Sequence, residues 1–227
     1  MADISQNAVV LQSPEGQRLL HGTAVRQTLL IRIFSKQFVN GYCGLHSAAL
    51  LMSARHFGKK YPDTLQHSNC DVSDVPFLDT NMFEFPETNR VLQNENLLRE
   101  GTTLKEIQEL FQAFGVGCER FHTSESSVDE FRSRAMAALS HSDSSHGVIV
   151  NFEMELNLDG KFIILGHLSP LAAYHEASDC FLLLDTSVHK RELWVPTRDL
   201  FEKMNTKDNV SSLTRGFLIA NFMSGPA

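Results

Sequence analysis

The chain has no C-x-x-C pair, no basic run interleaved with aromatics, and no apolar stretch approaching the length of a membrane span. Its four cysteines, Cys43, Cys70, Cys118 and Cys180, are scattered without regular spacing, which argues against a disulfide framework or a structural zinc site. The nearest approach to a metal pair is His67-Ser68-Asn69-Cys70; two further ligands are not evident nearby, so a polar loop is the better account and no metal-ligating residues are expected. The net charge of −7 argues against a nucleic-acid partner and in favour of a small-molecule or peptide substrate. The start, Met1-Ala2-Asp3-Ile4-Ser5-Gln6, lacks both the basic and the apolar region of a secretory signal, so a cytoplasmic protein without membrane contact is expected.

What is present is an ordinary globular composition over 227 residues, long enough for one large domain or two small ones. Ser13-Pro14 starts a short helix through Leu20, and an apolar, Ala-rich run from Leu45 to Phe57 predicts a buried helix that Gly58 stops. Lys59 to Arg90, with Pro62, Pro76 and Pro86, reads as largely irregular. Thr103-Leu104-Lys105-Glu106 and Ser127-Val128-Asp129-Glu130 have capping-box spacing and begin two amphipathic helices. Strands are predicted at Val148 to Phe152, Lys161 to Leu165, Pro170 to His175, Cys180 to Asp185, Glu192 to Val195 and Gly216 to Phe222, with a hairpin turn on Asp159-Gly160 and a short helix near Thr197. Helices first and antiparallel strands later define an α+β fold.

The chain is organised around Gln37-Phe38-Val39-Asn40-Gly41-Tyr42-Cys43-Gly44. A cysteine at the entrance of a helix sits where unsatisfied N–H groups and the positive end of the dipole favour a thiolate, so Cys43 is a candidate nucleophile. Gln37, six residues earlier, could aim an amide N–H at the carbonyl under attack. The alternative is that Cys43 is simply a small buried hydrophobe.

A base must then be chosen among ten histidines. His167, at an expected break in an apolar strand, would project from the sheet, and Gly166 beside it leaves room for close backbone approach of a substrate. Asp185 closes the next strand and could hold the His167 ring in one tautomer. Taken singly, His167 could be a satisfied core histidine and Asp185 a turn residue. His46 and His56 are expected at the surface or half-buried, His141 and His146 solvated, and His175 and His189 near the site.

Together, Gln37 through Gly44, Gly166-His167-Leu168-Ser169-Pro170-Leu171-Ala172-Ala173-Tyr174, Leu184-Asp185-Thr186-Ser187, Met204-Asn205-Thr206 and Thr214-Arg215-Gly216-Phe217 resemble the phytochelatin synthases, closest to the short prokaryotic members. The resemblance runs from about Ser13 to Phe222. It implies a papain-like fold, helical first half carrying the cysteine and antiparallel sheet second half carrying His and Asp, with Cys43, His167 and Asp185 as triad and Gln37 as oxyanion glutamine. It implies glutathione as substrate, with Asn151, Gly166, Asp208 and Arg215 holding the γ-glutamyl part; a structural Arg215–Asp208 pair is the alternative for the last two. It implies no fixed cofactor, cadmium or zinc entering as thiolates of glutathione, and it allows a homodimer. A single catalytic domain over 1–227 is expected, without a cysteine-rich C-terminal domain. Two readings from other classes stand beside it, a general endopeptidase and a catalytically idle thiol- or metal-binding scaffold. The segment Val188-His189-Lys190-Arg191-Glu192-Leu193 departs from the family's Arg-x-Lys-Tyr-Pro-Pro type of sequence, which raises hydrolysis of glutathione as the sole activity.

Overall fold

Local capping chemistry starts the helices where the sequence places them. In a computed structural model describing residues 4–60, 73–158 and 160–225, the Glu106 N–H donates to Thr103 Oγ1 (3.2 Å) and the Thr103 N–H donates to the Glu106 carboxylate (2.7 Å), opening α6 (Leu104–Ala113). The second predicted box is half made: the Glu130 N–H donates to Ser127 Oγ (3.1 Å) at the start of α7 (Val128–Leu139), while the Glu130 carboxylate pairs instead with Arg134 (2.9 Å). Ser13 caps α1 (Pro14–His21), with proline in the first turn. The remaining helices are α2 (Thr28–Ile33), α3 (Cys43–Lys60), α4 (Pro86–Val91), α5 (Asn94–Glu100) and α8 (Thr197–Met204). Gly58 does not stop α3; it lies within it, where a Cβ would come within 2.2 Å of the Asp143 carbonyl oxygen.

Among the described residues, eight strands form one antiparallel sheet: β1 (Val9–Val10), β2 (Val25–Arg26), β3 (Gly117–His122), β4 (His146–Leu158), β5 (Lys161–His175), β6 (Cys180–Leu183), β7 (Leu193–Pro196) and β8 (Gly216–Asn221). The order is β1-β7-β6-β5-β4-β8-β3, with β2 added on β5. The architecture is therefore α+β, as expected, but β3 was not anticipated. Its sequence, Gly-Cys-Glu-Arg-Phe-His, carries little apolar alternation because it lies at the sheet's outer margin.

The segments at Lys161 to Leu165 and Pro170 to His175 are one strand, so the expected break at Gly166 and His167 does not exist. Pro170 is tolerated inside it because its carbonyl faces β6, accepting from the Leu184 N–H (3.0 Å), and its missing N–H falls beyond the last β5–β6 ladder pair, Leu171 with Leu183.

Both faces of the sheet are buried, which explains the near-continuous apolar runs of its central strands. Ile149, Ala172, Leu182, Trp194 and Leu218 pack with α2, α3 and α6, whereas Val148, Val150, Phe152, Phe181 and Phe217 pack with α7 and α8. Strand alternation thus supplies one core to each side. Among the described residues, no helix is long and apolar enough to cross a membrane.

Phe131 of α7 centres the second core, with ring centroids 5.0 Å from Phe217 and 5.2 Å from Phe181 and no solvent exposure. Replacing it empties that space, and Phe131→Ala is expected to cost about 3–5 kcal/mol. Urea unfolding measures it; a loss below ~1 kcal/mol would contradict the packing described.

Candidate active site

Cys43 is the first residue of α3, and the turn delivering it depends on Gly41, at φ +89°, where a Cβ would lie 2.7 Å from the Leu97 carbonyl oxygen. The sulfur is buried, and burial by itself pushes the thiol up. The charge of His167, a hydrogen bond from it, and the backbone N–H groups of Leu168 and Gly44 more than offset that effect. The net result holds the Cys43 thiol below its ordinary value.

His167 lies in β5 opposite Phe152 of β4, whose ring meets the imidazole edge-to-face at 5.4 Å. Its Nε2 donates to Asp185 Oδ1 at 2.9 Å, with Ser169 Oγ 3.1 Å from the same nitrogen. With Nε2 so engaged, Nδ1 is the nitrogen left for Cys43. Burial lowers the imidazole's basicity, but the Asp185 carboxylate and the Cys43 sulfur outweigh it and raise the proton affinity of His167 well above the ordinary histidine value. Asp185 Oδ1 also accepts from the Ser187 N–H (2.9 Å), and its carbonyl accepts from Lys36 Nζ (2.6 Å).

Gln37 is tied to the same loop. Its N–H donates to the Thr186 carbonyl (2.9 Å), and Thr186 Oγ1 donates to Gln37 Oε1 (3.3 Å). The amide nitrogen donates to the Val39 carbonyl (3.0 Å), which orients Nε2 and leaves its second hydrogen unassigned. Gln37, Cys43 and His167 converge on a cavity of about 540 Å³ whose lining also includes Asn151, Gly166, Asp208 and Arg215. Every site residue expected from the sequence therefore meets at one place, with Asp185 immediately behind His167.

The far part of this cavity holds buried polar groups with unused valence. Asn151, only 2 % exposed, has no hydrogen-bond partner at Oδ1. Arg215, 4 % exposed, donates from Nη1 to Thr206 Oγ1 (2.9 Å) and the Lys207 carbonyl (2.5 Å), but its Nε has none. Gly166 lines the cavity and leaves room for this guanidinium: a Cβ there would lie 3.2 Å from Arg215 Nη2. Asp208 accepts from Ser211 Oγ (2.7 Å) and the Val210 N–H (3.1 Å), while Arg215 donates to Thr206 and Lys207. A buried donor and a buried acceptor facing one cavity suit a ligand end that carries both an anionic and a cationic group.

Several other expectations change. His46 is fully buried rather than near the surface, and it pairs with Asp79 (3.3 Å). His146 is half-buried and stacked on His141 at 4.0 Å between ring centroids. His189 lines the cavity, while His175 packs against Trp194 instead. Ser169, Thr186 and Lys36 were not singled out from the sequence. Only Ser169 left a signal, since it stands two residues from His167 and shares its side of the strand. Burial, with Glu119 adding to it, pushes Cys118 up to about 12, and burial also raises Cys180. The pair His67 and Cys70 lies outside the described residues; among those described, no cluster of three or more His, Cys, Asp or Glu side chains could hold a metal ion.

A family model described as Phytochelatin synthase matches residues 1–217. Among curated proteins, the chain is similar to glutathione gamma-glutamylcysteinyltransferase 3 of Lotus japonicus (27% identity over 95% of this chain and 42% of the relative). It is also similar to glutathione gamma-glutamylcysteinyltransferase 1 of the same plant (29%, over 95% and 40%) and to that of Arabidopsis thaliana (26%, over 95% and 42%). The chain thus spans about two fifths of the length of the curated relatives it matches.

The thiol environments predict a ranking of reactivity. Iodoacetamide is expected to alkylate Cys43 first among Cys43, Cys118 and Cys180, with a rate that stays high below the ordinary thiol pKa of ~8.5. Peptide mapping after limited labelling measures this; preferential modification of Cys118 or Cys180 would contradict it.

Proposed function

Because the chain belongs to the phytochelatin synthase family, we propose that it is a papain-like glutathione γ-glutamylcysteinyltransferase whose single catalytic domain occupies residues 1–227. The observation that carries this reading is the convergence of a buried, acidified Cys43 with His167 and Gln37 on one cavity. A helix-borne cysteine, a sheet histidine using Nδ1 toward it, and an Asp185 on Nε2 support papain-type roles for the three.

In this mechanism the Cys43 thiolate attacks the carbonyl carbon of the Cys–Gly amide of glutathione. The carbonyl oxygen takes the negative charge and is met by the free N–H of Gln37, a kind of contact worth roughly 10²–10³ in rate. His167 gives its Nδ1 proton to the departing glycine nitrogen as the C–N bond breaks, leaving a γ-glutamylcysteinyl thioester on Cys43. Asp185 keeps Nε2 protonated throughout, so Nδ1 alone exchanges protons. His167 then takes a proton from the attacking amine of a second glutathione, whose nitrogen bonds the acyl carbon as the C–S bond breaks and Cys43 leaves as thiolate; attack by water instead gives γ-glutamylcysteine.

The free α-carboxylate of the γ-glutamyl group suits Arg215, and its α-ammonium suits Asp208 and the unpartnered Asn151 oxygen. Cadmium or zinc enters as a thiolate complex of glutathione and is part of the substrate. The scaffold alternative gains no support from a thiol held acidic, since a scaffold needs no such device.

Mass spectrometry of products after incubation with glutathione, with and without cadmium, tests the reading. Glycine release is expected, with (γ-Glu-Cys)n-Gly peptides when acceptor transfer competes and γ-glutamylcysteine when water wins. Intact glutathione in both conditions would overturn it, as would unchanged turnover in Cys43→Ala. The rate of glycine release should rise with pH as the Cys43 thiol, held below its ordinary value, ionises, and fall as His167, pushed up to about 10, loses its proton. The two shifts run in opposite directions and open a plateau between those limbs. A single rise centred near ~8.5 would mean an unassisted thiol.

A further inference from the structure

A second histidine–aspartate pair lies beneath the nucleophile helix, and no step above uses it. The side chains of His46 and Asp79 are both wholly shielded from solvent, with His46 Nδ1 and Asp79 Oδ1 3.3 Å apart. Two polar side chains buried this completely need compensating contacts. Those contacts all run to one segment. Asp79 Oδ2 accepts from the Phe38 N–H (2.8 Å) and the Val39 N–H (3.1 Å). On the other side of the pair, His46 Nε2 donates to the Ser35 carbonyl (2.9 Å).

His46 Nε2 carries the proton that Ser35 accepts, and Nδ1 faces Asp79 Oδ1 at 3.3 Å. The pair grips residues 35, 38 and 39, and Gln37 sits between the gripped positions. Val39 is held at its N–H by Asp79, and its carbonyl is the acceptor that orients Gln37 Nε2. His46 stands one turn after Cys43 on the same helix, so the element presenting the sulfur also anchors the segment presenting the amide.

We propose that His46 and Asp79 are positioning residues that fix the Gln37 amide relative to the Cys43 sulfur, so that the amide N–H meets the oxyanion of the tetrahedral intermediate. The inference rests on the proposed roles of Cys43 and Gln37 but not on the identity of the substrate. Neither residue touches the reacting atoms; both act through the backbone on either side of Gln37. Loss of the grip leaves the thiolate and its histidine intact and misplaces one transition-state donor.

Two reagents separate these effects. Iodoacetamide alkylates the sulfur by displacement and forms no oxyanion, whereas p-nitrophenyl acetate acylates it through a tetrahedral oxyanion without needing glutathione recognition. In the full chain, Asp79→Ala is expected to slow the acylation burst with p-nitrophenyl acetate by about tenfold or more, approaching the effect of Gln37→Ala. Alkylation by iodoacetamide should stay within about twofold of the parent. The Asp79→Ala/Gln37→Ala double variant should be no slower than Gln37→Ala alone, because the two act on one contact. Asp79→Asn keeps an acceptor oxygen for the two backbone N–H groups and a donor toward His46, so it should recover most of the rate. His46→Leu, which removes the grip on Ser35 and keeps apolar volume, gives an independent perturbation in the same direction.

Additive slowing in the double variant, or equal loss of alkylation and acylation in both Asp79→Ala and His46→Leu, would overturn the inference in favour of a purely structural pair. If the parent protein is acylated by the ester but leaves glutathione intact, the substrate reading fails while the positioning role is still decided by the same comparison.

Discussion

The proposed role of Cys43 asks a buried sulfur to carry a negative charge, and burial opposes that charge. The interaction that reverses the balance is the contact between Cys43 and His167, supported by backbone N–H groups of Leu168 and Gly44. His167 in turn is held protonated by Asp185, so the site works as one coupled set of charges rather than as three independent residues. Much of the fold serves that coupling. It brings the start of α3, the middle of β5 and the end of β6 to one point, and it closes the point from water with a sheet that has helices on both faces.

The loops around Cys43, His167 and Asp185 are fixed by contacts that cross long stretches of sequence. Lys36 donates to the Asp185 carbonyl (2.6 Å) and the Lys190 carbonyl (3.0 Å) and pairs with Glu192, itself bonded to Gln12. The segment before Cys43 is thereby tied to the segment after Asp185. Thr186 adds a second tie through both the backbone and the side chain of Gln37. Such cross-links hold catalytic groups in place without putting further charge in the cavity.

The sequence made the chemistry more legible than the path of the chain. Cys43 at a helix entrance, Gln37 just before it and His167 within a strand meet at one cavity, with Asp185 behind His167. The strand through Gly166, His167 and Pro170 was misread as broken, because glycine and proline interrupt the local pattern while the neighbouring strands supply the hydrogen bonds that keep it extended. His46 was misjudged for a related reason. Its neighbours on α3 do not reveal that Asp79, placed by a different part of the chain, lies 3.3 Å from its ring. Pairings of this kind are set by topology, to which helical or strand periodicity is blind.

The central claim is that Cys43 carries the acyl group, and intact-protein mass spectrometry after rapid acid quenching of a reaction with glutathione tests it most directly. The account predicts a population heavier by one γ-glutamylcysteinyl group, mapped by peptide analysis to Cys43 as a thioester and lost on treatment with hydroxylamine. Turnover of glutathione with Cys43 unmodified, or an adduct confined to another cysteine, would contradict it.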